Sequence, residues 1–92
     1  MEIHFYATLR AIVGQKTVQL DLPVGVTVRQ VVEEIVRVYP ALKPELLDEQ
    51  GQFYSHQKFI VNGRDMIYLE NKIETVIRAE DKIDIFPPIG GG

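Results

Sequence analysis

A chain of 92 residues has the bulk for one compact core, burying about 60–65% of its unfolded surface, and none for a second. Its 46% hydrophobic and 25% charged residues are the balance of a soluble globule. No apolar run approaches the ~18 residues that span a bilayer, and Met1-Glu2-Ile3-His4 is not a basic-then-apolar leader, so a soluble cytoplasmic protein with no membrane partner is expected. The absence of cysteine excludes disulfides, a thiolate nucleophile and a cysteine metal site, and a net charge of −3 with scattered Lys and Arg argues against nucleic acid as a ligand.

Met1 to Ala7 alternates, with Met1, Ile3, Phe5 and Ala7 on one side and Glu2, His4 and Tyr6 on the other, the period of a half-buried first strand. Thr8 to Gly14 carries Leu9, Ile12 and Val13 at helical spacing and stops at a glycine, which predicts a turn or two of helix or an ordered loop. Lys16 to Leu22 alternates again, placing Val18, Leu20 and Leu22 inward, with Gly14-Gln15 as the reversal and Pro23 as the stop. The first two strands are expected to form an antiparallel hairpin.

Thr27, followed three residues later by Gln30, is a capping-box pattern for a helix starting at Val28. The valines that follow favour strand individually, but Val28, Val31, Val32, Ile35 and Val36 recur at helical spacing, and period outweighs propensity. Glu33 and Arg37 are expected to pair across one turn, and Pro40 to end the helix after Tyr39. Ala41 to Lys58 is the least regular stretch; a short helix at Pro44-Glu45-Leu46-Leu47 and a loop over Gly51 to Gln57 are expected.

Phe59-Ile60-Val61 reads as a third strand turned by Asn62-Gly63, a dipeptide suited to the positive φ angles of tight hairpins, with Met66 to Leu69 pairing back. Glu74 to Arg78 is ambiguous. Lys82 to Phe86 alternates cleanly, with Ile83 and Ile85 inward and Lys82, Asp84 and Phe86 outward. A long helix crossing from the first hairpin to the later strands lets the first and last strands lie parallel at the sheet centre. The fold class expected is α+β, a β-grasp of the ubiquitin type: a mixed sheet of four or five strands on one main helix. The domain is expected to span residues 1–88, and the tail 89–92 to be flexible.

Beyond Phe86 the chain reads Pro87-Pro88-Ile89-Gly90-Gly91-Gly92. Two prolines cannot extend a sheet ladder, and glycines without Cβ make a thin, bendable tip bearing an unhindered carboxylate. From Pro88 to Gly92 the reach is about 15 Å at about 3.3 Å per residue, enough to enter another protein's active site. By alternation Phe86 stands on the outer face with Tyr6, and with Ile60 these rings would make a docking patch; strand twist folding Phe86 back onto the core is the alternative. His4 and His56 have no second histidine, serine or cysteine nearby in the pattern, so no triad and no metal site is expected. Glu33, Glu34, Asp48 and Glu49 read as a solvated face, and Arg10 and Arg64 as loop charges or partner contacts.

Phe5-Tyr6-Ala7-Thr8-Leu9-Arg10, Thr27-Val28, Val61-Asn62-Gly63-Arg64 and the block Asp81 to Gly92 together resemble the ubiquitin-like sulfur-carrier family, which includes the small subunit of molybdopterin synthase and the thiazole-pathway carrier. Phe86-Pro87-Pro88 before the terminal glycines is more similar to the molybdopterin branch. The region Ala41 to Gln57 is longer than in the smallest carriers, and Ala79-Glu80-Asp81 stands where many relatives have Asp-Gly-Asp. The resemblance implies a non-catalytic carrier with no bound cofactor. A partner adenylyltransferase of the ubiquitin-activating type would use MgATP to adenylate Gly92, and a persulfide donor would convert it to a thiocarboxylate. Gly91 would leave the enzyme channel free of side chains, and Phe86, Pro87, Pro88, Ile89, Gly90 and Tyr6 would face partners. The acceptor implied is a pterin precursor in the large subunit of molybdopterin synthase. Sulfur transfer to the thiazole of thiamine or to tRNA, conjugation to lysines as a protein modifier, and a plain interaction module are the alternatives.

Overall fold

The computed structural model describes residues 1–23, 25–53 and 58–87. Five strands form one sheet: β1 (Glu2–Phe5), β2 (Thr17–Gln19), β3 (Lys58–Val61), β4 (Arg64–Asp65) and β5 (Ile83–Phe86), in the order β2-β1-β5-β3-β4. β1 pairs antiparallel with β2 and parallel with β5, while β3 pairs antiparallel with both β5 and β4. The first and last strands therefore lie side by side at the centre, as the crossover argument requires. The mixed sheet, carrying one long helix, is the β-grasp arrangement expected.

That helix, α2 (Val28–Val38), begins where the capping box places it. Gln30 N–H donates to Thr27 Oγ1 at 3.3 Å and Thr27 N–H to Gln30 Oε1 at 2.9 Å, satisfying two of the amides a helix start leaves open. Val28, Val31, Val32 and Ile35 are buried, and Val36 packs at the margin. They meet the inward side chains of the sheet, Ile3, Phe5, Val18, Phe59, Ile83 and Ile85, in one core that Leu9, Leu42, Leu46 and Ile77 complete. The capped first turn is tied down further: Val28 N–H donates to Thr75 O, Ile77 N–H to Val26 O, and Arg29 pairs with Glu74 at 2.7 Å. The ambiguous stretch 74–78 thus starts on the last residue of a 3₁₀ turn, Lys72–Glu74, and braces the start of α2, with Thr27 bridged to Val76.

Three local expectations are corrected, at Ala7, at Arg37 and after Gly63. Ala7 does not end the first strand on the core side; it takes φ 53° and opens α1 (Ala7–Val13), exposed, because the chain must turn at once to bring Leu9 into the core. The antiparallel β1–β2 pair is accordingly linked by a helix, ended by Gly14 at φ 88°. Arg37 pairs with Glu34, through bonds of 2.6 and 2.8 Å, and not with Glu33, since the one-turn partner three residues back offers both carboxylate oxygens to the guanidinium fork. The Asn62-Gly63 turn, with φ 53° and 84°, is so tight that Arg64–Asp65 pairs back on β3, and Met66–Tyr68 forms a 3₁₀ turn. In the least regular stretch a 3₁₀ turn, Pro40–Leu42, runs into α3 (Lys43–Leu46), whose Leu46 reaches the core.

Candidate functional site

β5 has neighbours on both sides, so the chain leaves the sheet from its middle at Phe86-Pro87 and not from an edge. The surroundings of that exit are set by register. Phe86 stands opposite Lys58, and Asp84 lies between His4 of β1 and Ile60 of β3. Directly opposed residues share a face, so Phe86, Lys58, Asp84, Ile60 and His4 occupy the side away from α2.

On this face Phe86 turns outward and stays half-buried, which resolves the two placements its alternation allowed. Its ring lies flat against Tyr6, with centroids 4.1 Å apart and planes within 8°. Tyr6 is held at three points. Its N–H donates to Ile85 O at 3.2 Å, its hydroxyl donates to Asp84 Oδ1 at 2.8 Å, and Lys16 Nζ lies 5.4 Å from its ring centroid. The hydroxyl's hydrogen bond to Asp84, with partial burial and the carboxylate's charge, raises the Tyr6 pKa above the ordinary tyrosine value.

Asp84 itself is only 7% exposed although the alternation puts it on the outer, water-facing side. The Tyr6 hydroxyl caps one of its oxygens, and Lys82 Nζ lies 4.0 Å from the other. The Lys58 ammonium is taken by Asp65 at 3.3 Å, diagonally across β3 and β4. The exit from the sheet is therefore a fixed aromatic shelf with a buried carboxylate beneath it and two lysines, Lys16 and Lys58, at its sides. Sequence reasoning singled out Tyr6, Phe86 and Ile60, which share this face, but not Asp84. The signal was present: aspartate is disfavoured in strands, and one placed between Ile83 and Ile85 in a central strand needs a partner.

His4 bridges Glu2 Oε1 at 2.9 Å and Thr17 Oγ1 at 3.0 Å on the sheet face, and no group of three His, Cys, Asp or Glu suited to a metal ion occurs among the described residues. Arg10 and Arg64 are exposed, on α1 and β4 and not in loops. Asp48 accepts the amides of Gln50 and Gln52 and closes its loop. Among the described residues no helix is long and apolar enough to cross a membrane. His56 and the tail residues Pro88, Ile89, Gly90, Gly91 and Gly92 lie outside the described residues.

The sequence matches the ThiS family over residues 3–92. It is 32% identical over 92 residues to small archaeal modifier protein 3 of Haloferax volcanii, covering 100% of this chain and 98% of that protein. It is 23% identical over 91 residues to the molybdopterin synthase sulfur carrier subunit of Aspergillus niger, covering 99% and 92% of the two chains. Among solved structures, the crystal structure of small archaeal modifier protein 1 from Haloferax volcanii superposes with a TM-score of 0.85 at 27% identity, over 99% of this chain and 97% of that one. Sheet order, a central last strand and sequence similarity along almost the whole chain lead to one assignment: the protein belongs to the ThiS family of ubiquitin-like β-grasp sulfur carriers and modifiers, which are carried between activating enzymes and acceptors and catalyse nothing themselves.

Proposed function

We propose that this chain is a ubiquitin-like carrier whose Gly92 carboxylate is activated by a partner adenylyltransferase, and that conjugation to protein lysines is its leading outlet. The supporting observation is that similarity to the family runs through residue 92, with greater identity to the archaeal modifiers, 32% and 29%, than to the molybdopterin synthase subunit, 23%. A free α-carboxylate is ionised at neutral pH and inert to nucleophiles until it gains a leaving group. The Gly92 oxygen attacks the α-phosphorus of MgATP held by the partner, an O–P bond forms, and pyrophosphate leaves. A lysine amine then attacks the acyl carbon, the C–O bond breaks, AMP departs and the amine loses a proton. Gly91 and Gly92 add no side chain to obstruct the partner's channel. Phe86, Pro87 and Tyr6 supply a rigid shelf from which Pro88, Ile89 and Gly90 lead to the tip, and aromatic anchors of this kind dominate interfaces. The chain needs no cofactor of its own, since MgATP is consumed by the partner.

The second reading is sulfur donation, favoured by the match to the molybdopterin synthase sulfur carrier subunit and by Phe86-Pro87-Pro88. There the terminal sulfur of a partner persulfide displaces AMP, and a thiol cleaves the resulting acyl disulfide to leave a thiocarboxylate, which enters the large subunit of molybdopterin synthase or another acceptor. The two outlets share one activation step. Mass analysis of tryptic peptides from cells expressing the tagged chain separates them: lysines bearing a remnant of the tail, lost when Gly91 and Gly92 are deleted, support conjugation. A thiocarboxylate with no lysine remnant assigns the chain to sulfur transfer alone.

A further inference from the structure

At the opposite end of β5 from the aromatic shelf, the turn after β3 and the loop before β5 are locked together. Asn62 N–H donates to Lys82 O and Lys82 N–H to Asn62 Oδ1, both at 2.8 Å; Asn62 Nδ2 donates to Asp81 Oδ1 at 2.9 Å and Arg78 N–H to Asp81 Oδ2 at 2.8 Å. This interlock forms one wall of a depression of about 430 Å³ whose apolar lining is Val61, Leu69 and Val76. Val76 is 55% exposed there.

Two guanidinium groups, Arg64 and Arg78, line the depression, and neither makes a side-chain hydrogen bond or ion pair among the described residues. Arg29 and Arg37, by contrast, are each held by a glutamate. The one carboxylate in the lining, Asp81, already spends both oxygens on Asn62 and on the Arg78 amide, so it is not positioned as a partner for either fork. Two arginines against one aspartate leave the lining one unit positive on a chain of net charge −3. Thr75, also in the wall, has a buried hydroxyl with no hydrogen-bond partner among the described residues, a donor lacking an acceptor.

Unpaired guanidinium forks beside apolar surface, flanking loops joined by four hydrogen bonds, suit an oxyanion ligand. We propose that this depression binds a carboxylate or phosphate group carried on an apolar body, held by Arg64 and Arg78 with the body against Val76 and Leu69. It lies at the opposite end of β5 from Phe86, so a ligand bound there leaves the Tyr6–Phe86 shelf uncovered for the partner of the proposed function.

The test is a titration of the full ¹⁵N-labelled chain, following the amides of Asn62, Gly63, Arg78 and Asp81, with inorganic phosphate in one arm and acetyl-leucyl-glutamyl-amide in the other. Saturable shifts at these amides are expected, with affinity on the order of millimolar and weakened by salt. The double variant Arg64→Ala, Arg78→Ala should lose about tenfold or more in affinity, as removal of charge-assisted bonds implies, whereas Arg10→Ala should bind as the parent does. Saturation by the peptide supports an acidic group beside an apolar one, whereas saturation by inorganic phosphate with linear shifts from the peptide would overturn the apolar body against Val76 and Leu69. Linear shifts in both arms, or an equal loss in Arg10→Ala, would overturn the proposal, since net charge and not a site would then explain the response.

Discussion

Replacing Tyr6 by phenylalanine removes one oxygen from the shelf and leaves its shape. The Phe86 stack at 4.1 Å and the backbone bond to Ile85 survive; only the 2.8 Å hydrogen bond to Asp84 is lost. A hydrogen bond to a charged group contributes about 1.5–3 kcal/mol, but this one is only partly buried, so a loss of about 1 kcal/mol is expected. For a domain of this size that lowers Tm by about 4–8 °C in scanning calorimetry. The pH dependence carries a signature. Because the Tyr6 pKa is raised in the folded state, the stability it provides is complete below the unfolded value near 10 and disappears as pH rises through the higher folded value. The gap between parent and variant should therefore be constant from neutral pH to about pH 9 and close above about pH 10. An unchanged Tm at neutral pH, or a gap that persists at high pH, would refute the brace between Tyr6 and Asp84.

Other outcomes follow from the packing and the turns. Thr27→Ala should cost about 1 kcal/mol in urea unfolding through loss of the capping bond to Gln30, with no change in activation by the partner enzyme. Ile85→Ala, at a fully buried position of the central strand, should cost about 2–5 kcal/mol, and an effect below about 1 kcal/mol in the same assay would mean the core is not as packed as described. Gly63→Ala places a Cβ at φ 84° in open space, so its cost of about 1 kcal/mol should come from backbone strain without side-chain clash, and Gly63→Asn should restore part of it. Phe86→Arg should leave the fold intact, since the ring lies on the outer face, while weakening partner binding in a pull-down or calorimetric titration.

Much of this architecture was legible because period and punctuation agreed. Thr27 and Gln30 fixed the start of α2 in spite of five β-branched residues on its inward face, and Asn62-Gly63 fixed a hairpin that admits little else. The parallel pairing of first and last strands followed from one crossover. What escaped was of a different kind. Ala7 prolongs the apolar alternation by one more residue, so the pattern ran past the point where β1 stops. The choice of Glu34 over Glu33 by Arg37 depends on rotamers that spacing does not encode. Alternation placed Asp84 outward correctly, but its burial under Tyr6 comes from a residue 78 positions away, beyond any local pattern. Between Ala41 and Lys58, the stretch read as least regular, the short helix expected near Pro44 is present as α3, and Leu42 and Leu46 tie it to the core.

The central claim is that the carboxylate of Gly92 is the group a partner enzyme activates. ATP–pyrophosphate exchange by the adenylyltransferase native to the same cell, measured with and without this chain, tests it before either outlet diverges. The account predicts exchange that depends on the chain, saturates with it, and vanishes when Gly92 is removed. Exchange that proceeds equally with the truncated chain would contradict it.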